Sequence, residues 1–340
     1  MAIEDELDTG LPRAYDPRLF QAKCSAVFEQ VYEAYPEQGR GIFAEVGGVS
    51  HAVERDGKRK LWPWGGGGRR LPGMTPLERF LQSPGSFLKI AGATTVDTGL
   101  RYVLLAGVAW VLGYWWFRRR WAHRKIIPRF PTVSDVRREV GYSLLTVVIF
   151  GLVGAATILA SRNGWTRMYW RLSDNSAAWF WASIACTIVL HDTWFYWTHR
   201  LMHHPRLFGV FHRVHHLSNN PSPWASYAFA PAEAVVEAGI FPLAVLVMPI
   251  HPLAFTIFML WQIFFNVMGH TGYEIHPRWL MDSWLGKFIN TPTNHIMHHE
   301  KMRGNYGLYF NVWDRLMGTN HPDYESRYRE VTSRPKATAA

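Results

Sequence analysis

The sequence predicts an all-α integral membrane protein, and three observations carry that reading. Long apolar blocks fill residues 99 to 270 of a 340-residue chain. Tryptophan is abundant, at 17 residues, as it is where helices meet the membrane–water boundary. Histidines gather where the apolar blocks end. The architecture expected is about four transmembrane helices or re-entrant hairpins, with a cytosolic helical cap holding a histidine-rich dimetal site. Three regions follow: a non-membrane segment over 1–98, a membrane-embedded domain over 99–320, and a C-terminal tail over 321–340.

Residues 1–98 are mixed and charged, without strong periodicity. FEQVYEAY at 28–35 reads as a short helix and WPWGGGG at 62–68 as a turn or linker. Those glycines neither follow a clear strand nor open a helix, so they do not form a dinucleotide-binding fingerprint. The start, MAIEDELDTG, is acidic and has no basic n-region or apolar h-region, so insertion is expected to use internal spans. Cys24 and Cys186 are the only cysteines, and their spacing suits neither a disulfide framework nor a thiolate metal site.

Four apolar blocks come next. Tyr102–Phe117 is a short first span or a re-entrant block. Val140–Ala160 has 21 uncharged residues, the right length for about 30 Å of hydrocarbon. Ala177–Trp197 is a third span that carries His191 and Asp192 within it. Ala234–Met268 is broken by Pro249, His251 and Pro252, which suits a helical hairpin or two tilted helices.

Residues 118–138 hold eight Lys or Arg, against three in the loop Ser161–Asn175, so the first loop is expected in the cytoplasm. Counting spans from there brings the histidine-rich segments to the same side. The net charge of +10 could suit nucleic acid, but the basic residues flank apolar blocks, where anionic headgroups explain them better. No nucleic-acid partner is expected.

The segment HDTWFYWTHRLMHHPRLFGVFHRVHH, residues 191–216, packs seven histidines into 26 positions. His199 and His203 are four apart and share a helical face. His212, His215 and His216 form an HxxHH box, and His295, His298 and His299 repeat it. His270 closes the last apolar block. Isolated histidines such as His51, His123 and His321 read instead as surface residues. Nine convergent imidazoles exceed what one ion needs, so two metals are expected. Imidazole suits zinc, copper, iron and nickel alike. The lack of thiolates argues against a structural zinc site, and the apolar setting favours iron and O2 acting on a C–H bond. Asp192, on nearly the same face as His199 and His203, is expected to accept a ligand N–H; helix packing is its other available role. His191 points about 80° away around the helix. His204 and His276 are further candidates to replace a neighbour in the ligand set.

The order HxxxH, HxxHH, HxGY, HxxHH, followed by NYGLYFNVWDRLMGT at 305–319, resembles the fatty acid hydroxylase/sterol desaturase superfamily over residues 140–320. The resemblance implies an integral-membrane di-iron oxidase using two iron ions (zinc as a substitute), O2 as co-substrate and two external electrons. By position it implies His199 and His203 as the first ligand pair, His212, His215 and His216 as the second box, His270 as the isolated ligand, and His295, His298 and His299 as the last box. Two departures stand out. Asn294 occupies a position where many relatives place a histidine, and it becomes a candidate for a weaker or water-mediated ligand. Ala230-Pro231-Ala232-Glu233 replaces a His-Pro-acid pattern, which puts that position's contribution in doubt.

The implied reaction is hydroxylation of a sterol-like or acyl lipid, with desaturation at the same site as the alternative. The chain has no cytochrome b5-like haem motif, flavin fingerprint or Fe–S cysteines, so electrons are expected from a separate ferredoxin, cytochrome b5 or reductase. A histidine-rich metal transporter is the rival from another class. Transport sites lie near the bilayer midplane on broken helices, whereas these boxes fall at span ends. A relative that has lost activity and only binds lipid is disfavoured by the intact boxes.

Overall fold

A computed structural model describes residues 85–336. The expectations for residues 28–35, for WPWGGGG, for the rest of 1–84 and for 337–340 therefore lie outside the described residues. Within them the chain is helical, with two isolated bridges, Lys125–Tyr273 and Ile289–Phe310, and no strand.

Helix α1, Ser86–Trp110, runs on through a π-helical turn at Val111–Trp116. It begins well before the apolar block Tyr102–Phe117, because Thr94, Asp97, Thr98 and Arg101 interrupt the hydropathy without interrupting the helix. Their polar groups are satisfied locally. Arg101 pairs with Asp97 one turn earlier at 2.6 Å. Thr94 Oγ1 donates to the Ile90 carbonyl at 2.8 Å and to the Gly151 carbonyl of the next helix at 2.9 Å. The π-turn leaves the Gly113 carbonyl free to accept the Tyr273 hydroxyl at 2.7 Å.

Helix α2, Val133–Arg162, opens on a capping box. Asp135 N–H donates to Thr132 Oγ1 at 3.2 Å and Thr132 N–H to Asp135 Oδ2 at 3.1 Å. It packs along α1 through small residues. A Cβ at Gly151 would overlap Thr95 Oγ1 and lie 3.0 Å from the Thr95 Cα. Close backbone approach of this kind is how helices associate where no hydrophobic force drives them together.

Helix α3, Ala177–Met202, is capped by Ser176 and continues unbroken past His191 and Asp192. Two short helices follow, α4 (Pro205–Phe211) and α5 (Arg213–His216). The block Ala234–Met268 resolves into α6 (Pro231–Ala238), α7 (Ile240–Val247) and α8 (Pro252–Gly269). Pro252 sits at the first turn of α8, where its missing N–H costs nothing, and Phe241 stacks on Phe255 at 4.3 Å across the break. Helices α6 and α7 have eight residues each, about 12 Å, too short to cross about 30 Å of hydrocarbon. They form the broken arm of the expected hairpin.

Three helices among the described residues are long and apolar enough to cross a membrane: Ser86–Trp116, Val133–Arg162 and Pro252–Gly269. The count of about four spans is thus not reached. The remaining candidate, α3, is long enough, but His191 and Asp192 dilute its apolar run. It packs with α7 and α8 around Ile184, Ala244, Val245 and Phe258.

After α8 the chain passes through short 3-10 turns to α9 (Pro292–Lys301), α10 (Val312–Leu316) and α11 (Tyr324–Ser333). Part of the expected tail is therefore folded: Tyr324 and Tyr328 are buried against Met281 and Met297.

Adding a methyl group at the α1–α2 crossing must displace Thr95. Gly151→Ala is expected to destabilise the chain by about 1–3 kcal/mol. A thermal midpoint in detergent unchanged from wild type would show that the crossing has slack.

Candidate metal centre

Nine histidines converge in two groups. In the first, His199, His203, His212, His216 and His298 each offer a ring nitrogen within 4.8 Å of the others. The second is formed the same way by His215, His270, His295 and His299. Helix geometry decides the division. Each i, i+4 pair stays together (His199 with His203, His212 with His216, His295 with His299), while the third member of each HxxHH box points to the other group. Residues four apart lie about 40° from each other around a helix, and adjacent ones about 100°. Each HxxHH box is thereby split between the two groups.

Backbone and acid acceptors set the ring orientations. His199 Nδ1 is 2.8 Å from the Tyr306 carbonyl, His298 Nδ1 2.7 Å from the Gly304 carbonyl, and His270 Nδ1 2.7 Å from the Asn266 carbonyl. His212 Nδ1 is 2.6 Å from Glu233 Oε1. A carbonyl can only accept, so the proton sits on Nδ1 and the Nε2 lone pair is left bare. The Nε2 atoms of the two groups crowd together. His199 and His212 Nε2 are 2.9 Å apart, His216 and His298 3.0 Å, and His270 and His295 3.0 Å. With its Nδ1 proton committed to the Tyr306 carbonyl, His199 meets His212 through a bare Nε2. Buried lone pairs held this close are compatible with a cation among them, and the all-nitrogen donor set suits a first-row transition metal.

Protonation does not relieve the crowding. Burial, then the neighbouring imidazoles, holds His212, His215, His295 and His299 well below the ordinary histidine range. Burial brings His298 down to about 4. The rings present neutral imidazole, the form that binds metal.

The motif NYGLYFNVWDRLMGT supplies the scaffold. Asp314 accepts the Tyr306 and Gly307 N–H groups at 2.9 and 2.7 Å and the Thr319 hydroxyl at 2.7 Å. This holds the carbonyl that receives His199. Asn305 Nδ2 donates to the Asn294 carbonyl at 3.0 Å, tying the motif to α9. The Tyr306 ring lies 5.1 Å from that of His203 and covers the five-histidine group. Gly269 leaves room for the His295 ring, which a Cβ there would meet at 3.4 Å.

Other candidates fall elsewhere. Asp192 does not accept a ligand N–H: its Oδ1 accepts the backbone N–H groups of Tyr309 and Phe310 at 2.9 and 3.1 Å. Same-face spacing placed it correctly along α3, but the returning motif reaches it first. His191 Nδ1 is 2.7 Å from the Tyr309 hydroxyl. His204 caps α4, and His276 is 2.9 Å from Glu274; neither joins a group. Asn294 is fully buried, and both its side-chain amide atoms are without a hydrogen-bond partner among the described residues. Glu233, in the position the sequence left in doubt, is the acid that holds His212. Its signal was present in the Pro-Ala-Glu that followed the second box.

Without Glu233 the His212 proton has no buried acceptor and the ring is free to turn. Glu233→Ala is expected to weaken metal retention about 10–100-fold, measured by metal analysis after graded chelation of the purified protein. Retention equal to wild type would remove Glu233 from the centre.

The fatty acid hydroxylase family matches residues 184–319, which contain both groups. A Delta(7)-sterol 5(6)-desaturase, ERG3B of Gibberella zeae, is 28% identical over 245 residues, covering 72% of this chain and 71% of that protein. The corresponding erg3C of Aspergillus fumigatus is 29% identical, covering 61% and 68%. Lathosterol oxidase of Homo sapiens is 26% identical, covering 55% of this chain and 61% of its own length. No solved structure matches. With the ordered histidine boxes, these similarities make the chain similar to the fatty acid hydroxylase/sterol desaturase superfamily over the segment that carries both histidine groups.

Proposed function

We propose that the chain is an O2-dependent di-iron oxidase of a membrane lipid, its two ions held by the nine histidines of the two groups. The oxidoreductase class follows from the family. The observation that carries the dimetal reading is the pair of converging imidazole sets, with the Nδ1 atoms of His199, His212, His298 and His270 engaged outside them. Metal transport has no support in the family match.

When bound, two iron ions would supply the activation of O2 needed to take hydrogen from an unactivated carbon. The residues supply the rest. His199, His203, His212, His216 and His298 would hold one ion, and His215, His270, His295 and His299 the other. The second set is one imidazole short, and Asn294, with a buried amide in the adjacent turn of α9 that has no partner among the described residues, is the group available to complete it. Glu233 holds the Nδ1 of His212 and fixes the orientation of that ring. Tyr306 and Phe208 pack on the rings of His203 and restrict the approach of water.

Orientation draws on a direct contact. Arg138, in the basic stretch 118–138, donates to the Leu217 carbonyl at 3.1 Å, and Asn220 Nδ2 donates to the Arg129 carbonyl at 3.0 Å. The basic stretch thus touches the residues that follow the second box. The positive-inside tendency then favours the cytoplasm for the centre. There a separate ferredoxin, cytochrome b5 or reductase could deliver electrons.

Desaturation is the reading favoured by the relatives named as sterol 5(6)-desaturases; hydroxylation uses the same centre. Lipid mass spectrometry of host membranes with and without the chain separates them. Loss of two hydrogens marks desaturation and gain of one oxygen marks hydroxylation. His298→Ala is expected to abolish either change and to lower bound iron. Lipid oxidation that persists in His298→Ala would overturn the assignment.

A further inference from the structure

Four large apolar side chains stand on the outside of the structure: Trp284, Leu285, Phe288 and Leu316, with Trp284 73% and Leu316 70% exposed. The first three belong to the segment between His270 and α9, which turns through two 3-10 helices, Arg278–Asp282 and Gly286–Phe288. Leu316 ends α10. The other side of the segment is buried, where Met281 packs on Met297, Tyr324 and Tyr328. One face thus holds the folded tail and α9, and the opposite face presents apolar groups that the described residues leave uncovered.

Their partners set their depth. Asn290 N–H donates to the Tyr309 carbonyl at 3.0 Å and Asn311 N–H to the Phe288 carbonyl at 2.9 Å, so residues 288–290 lie alongside 309–311. Tyr309 in turn packs on Trp261 and Phe265 of α8, with ring centroids 5.9 and 5.5 Å apart. Those two residues precede Gly269, the last of α8, by eight and four positions, about 12 and 6 Å along the axis. Helix α8 is one of the three long and apolar enough to cross a membrane, and its Phe264 is exposed at the same level. Phe288 therefore stands within the length of a spanning helix. Helix α10 is placed in the same way. Trp313 Nε1 donates to Thr193 Oγ1 at 3.2 Å and its ring lies 5.5 Å from that of Trp197, so α10 runs beside α3.

We propose that residues 284–288 and α10 form a membrane foot, inserted at the boundary of headgroups and acyl chains on the side of the bilayer where the histidines lie, and that lipid covers its apolar face. The inference rests on α8 as a membrane span and is independent of the reaction. Tryptophan favours the headgroup level. Arg278 and Lys287 are exposed beside the apolar groups, with stems long enough to carry their charges out to lipid phosphates. The irregular backbone also meets the demand of an apolar medium for internal hydrogen bonds. Gly286 N–H donates to Ser283 Oγ, Phe288 N–H to the Leu285 carbonyl and Ile289 N–H to the Gly286 carbonyl. Arg315 donates to the Lys287 carbonyl and pairs with Glu325 at 3.1 Å, so its charge does not meet lipid alone. Pro292, where α9 begins, follows Phe288 by four residues, so the foot fixes the height of the last histidine box relative to the bilayer.

The test places the full chain, carrying Cys24→Ser and Cys186→Ser, in phosphatidylcholine nanodiscs with one nitroxide on Leu285→Cys or Leu316→Cys. Val148→Cys, exposed in the uncharged block of α2, is the lipid reference, and Lys301→Cys, exposed at the end of α9, is the aqueous one. Power saturation compares collision with O2, which concentrates in lipid, and with a water-soluble nickel chelate. Labels at 285 and 316 are expected to favour O2 as at 148, with the reverse at 301. Nickel access like that at 301 overturns the foot. So does a label that neither reagent reaches, which marks a protein contact such as a second copy of the chain. Where a labelled variant fails to fold, the wild-type chain is irradiated in vesicles whose acyl chains carry a diazirine. Adducts within residues 279–288 or 312–317 support the proposal, and adducts confined elsewhere overturn it. A foot found in lipid on a chain that oxidises no lipid refutes the proposed function and leaves this inference standing.

Discussion

The commitment of Nδ1 protons is the constraint on which the centre depends. Three imidazoles donate from Nδ1 to carbonyls with nothing to give back, those of Tyr306, Gly304 and Asn266, and Glu233 holds the Nδ1 of a fourth, His212. The opposite nitrogens of those three rings are then bare and buried, each close to the Nε2 of another ring. Such an arrangement is costly for an empty protein and favourable around a cation. The rest of the fold can be understood as what keeps those acceptors in place.

That support comes from distant stretches of chain. Asp192, in the middle of α3, anchors the backbone of Tyr309 and Phe310, and Asp314 anchors Tyr306 and Gly307. The two acids clamp one returning segment at both ends of a short run and thereby fix the carbonyl that aims His199. An acid inside an apolar helix is expensive unless its oxygens are satisfied. Here two backbone N–H groups satisfy one of them, and the expense secures a positioned loop. Asp192 therefore acts on the centre through the backbone and not by touching a ligand ring.

The centre and an apolar cavity that lies among α1, α2, α3, α6, α7 and α8 share helix α6. Glu233 on its first turn holds His212, and Glu237 on the next lines the cavity. An eight-residue helix, too short to span a bilayer, sets the two acids one turn apart, one beside His212 and one in the cavity wall. The hairpin that hydropathy alone suggested is thus better seen as a support built between two long helices.

Much of this was legible in residue order. The three qualifying spans, the breaks at Pro249 and Pro252 and the nine histidines follow from hydropathy and spacing, because helix periodicity and burial are local properties. What was not legible was longer in range. The start of α1 at Ser86 was hidden by polar residues that pair within their own helix. The partner of Asp192 lies 117 positions away. Glu233 looked like a remnant of a lost pattern until its distance to His212 was known. The sequence by itself determined which residues are the candidate metal ligands, since nitrogen donors at helical spacing and apolar length are written in neighbouring positions. Only the tertiary structure decided how the histidines divide five and four and which acceptor holds each ring. Those choices belong to segments that meet after folding, and no local spacing encodes them.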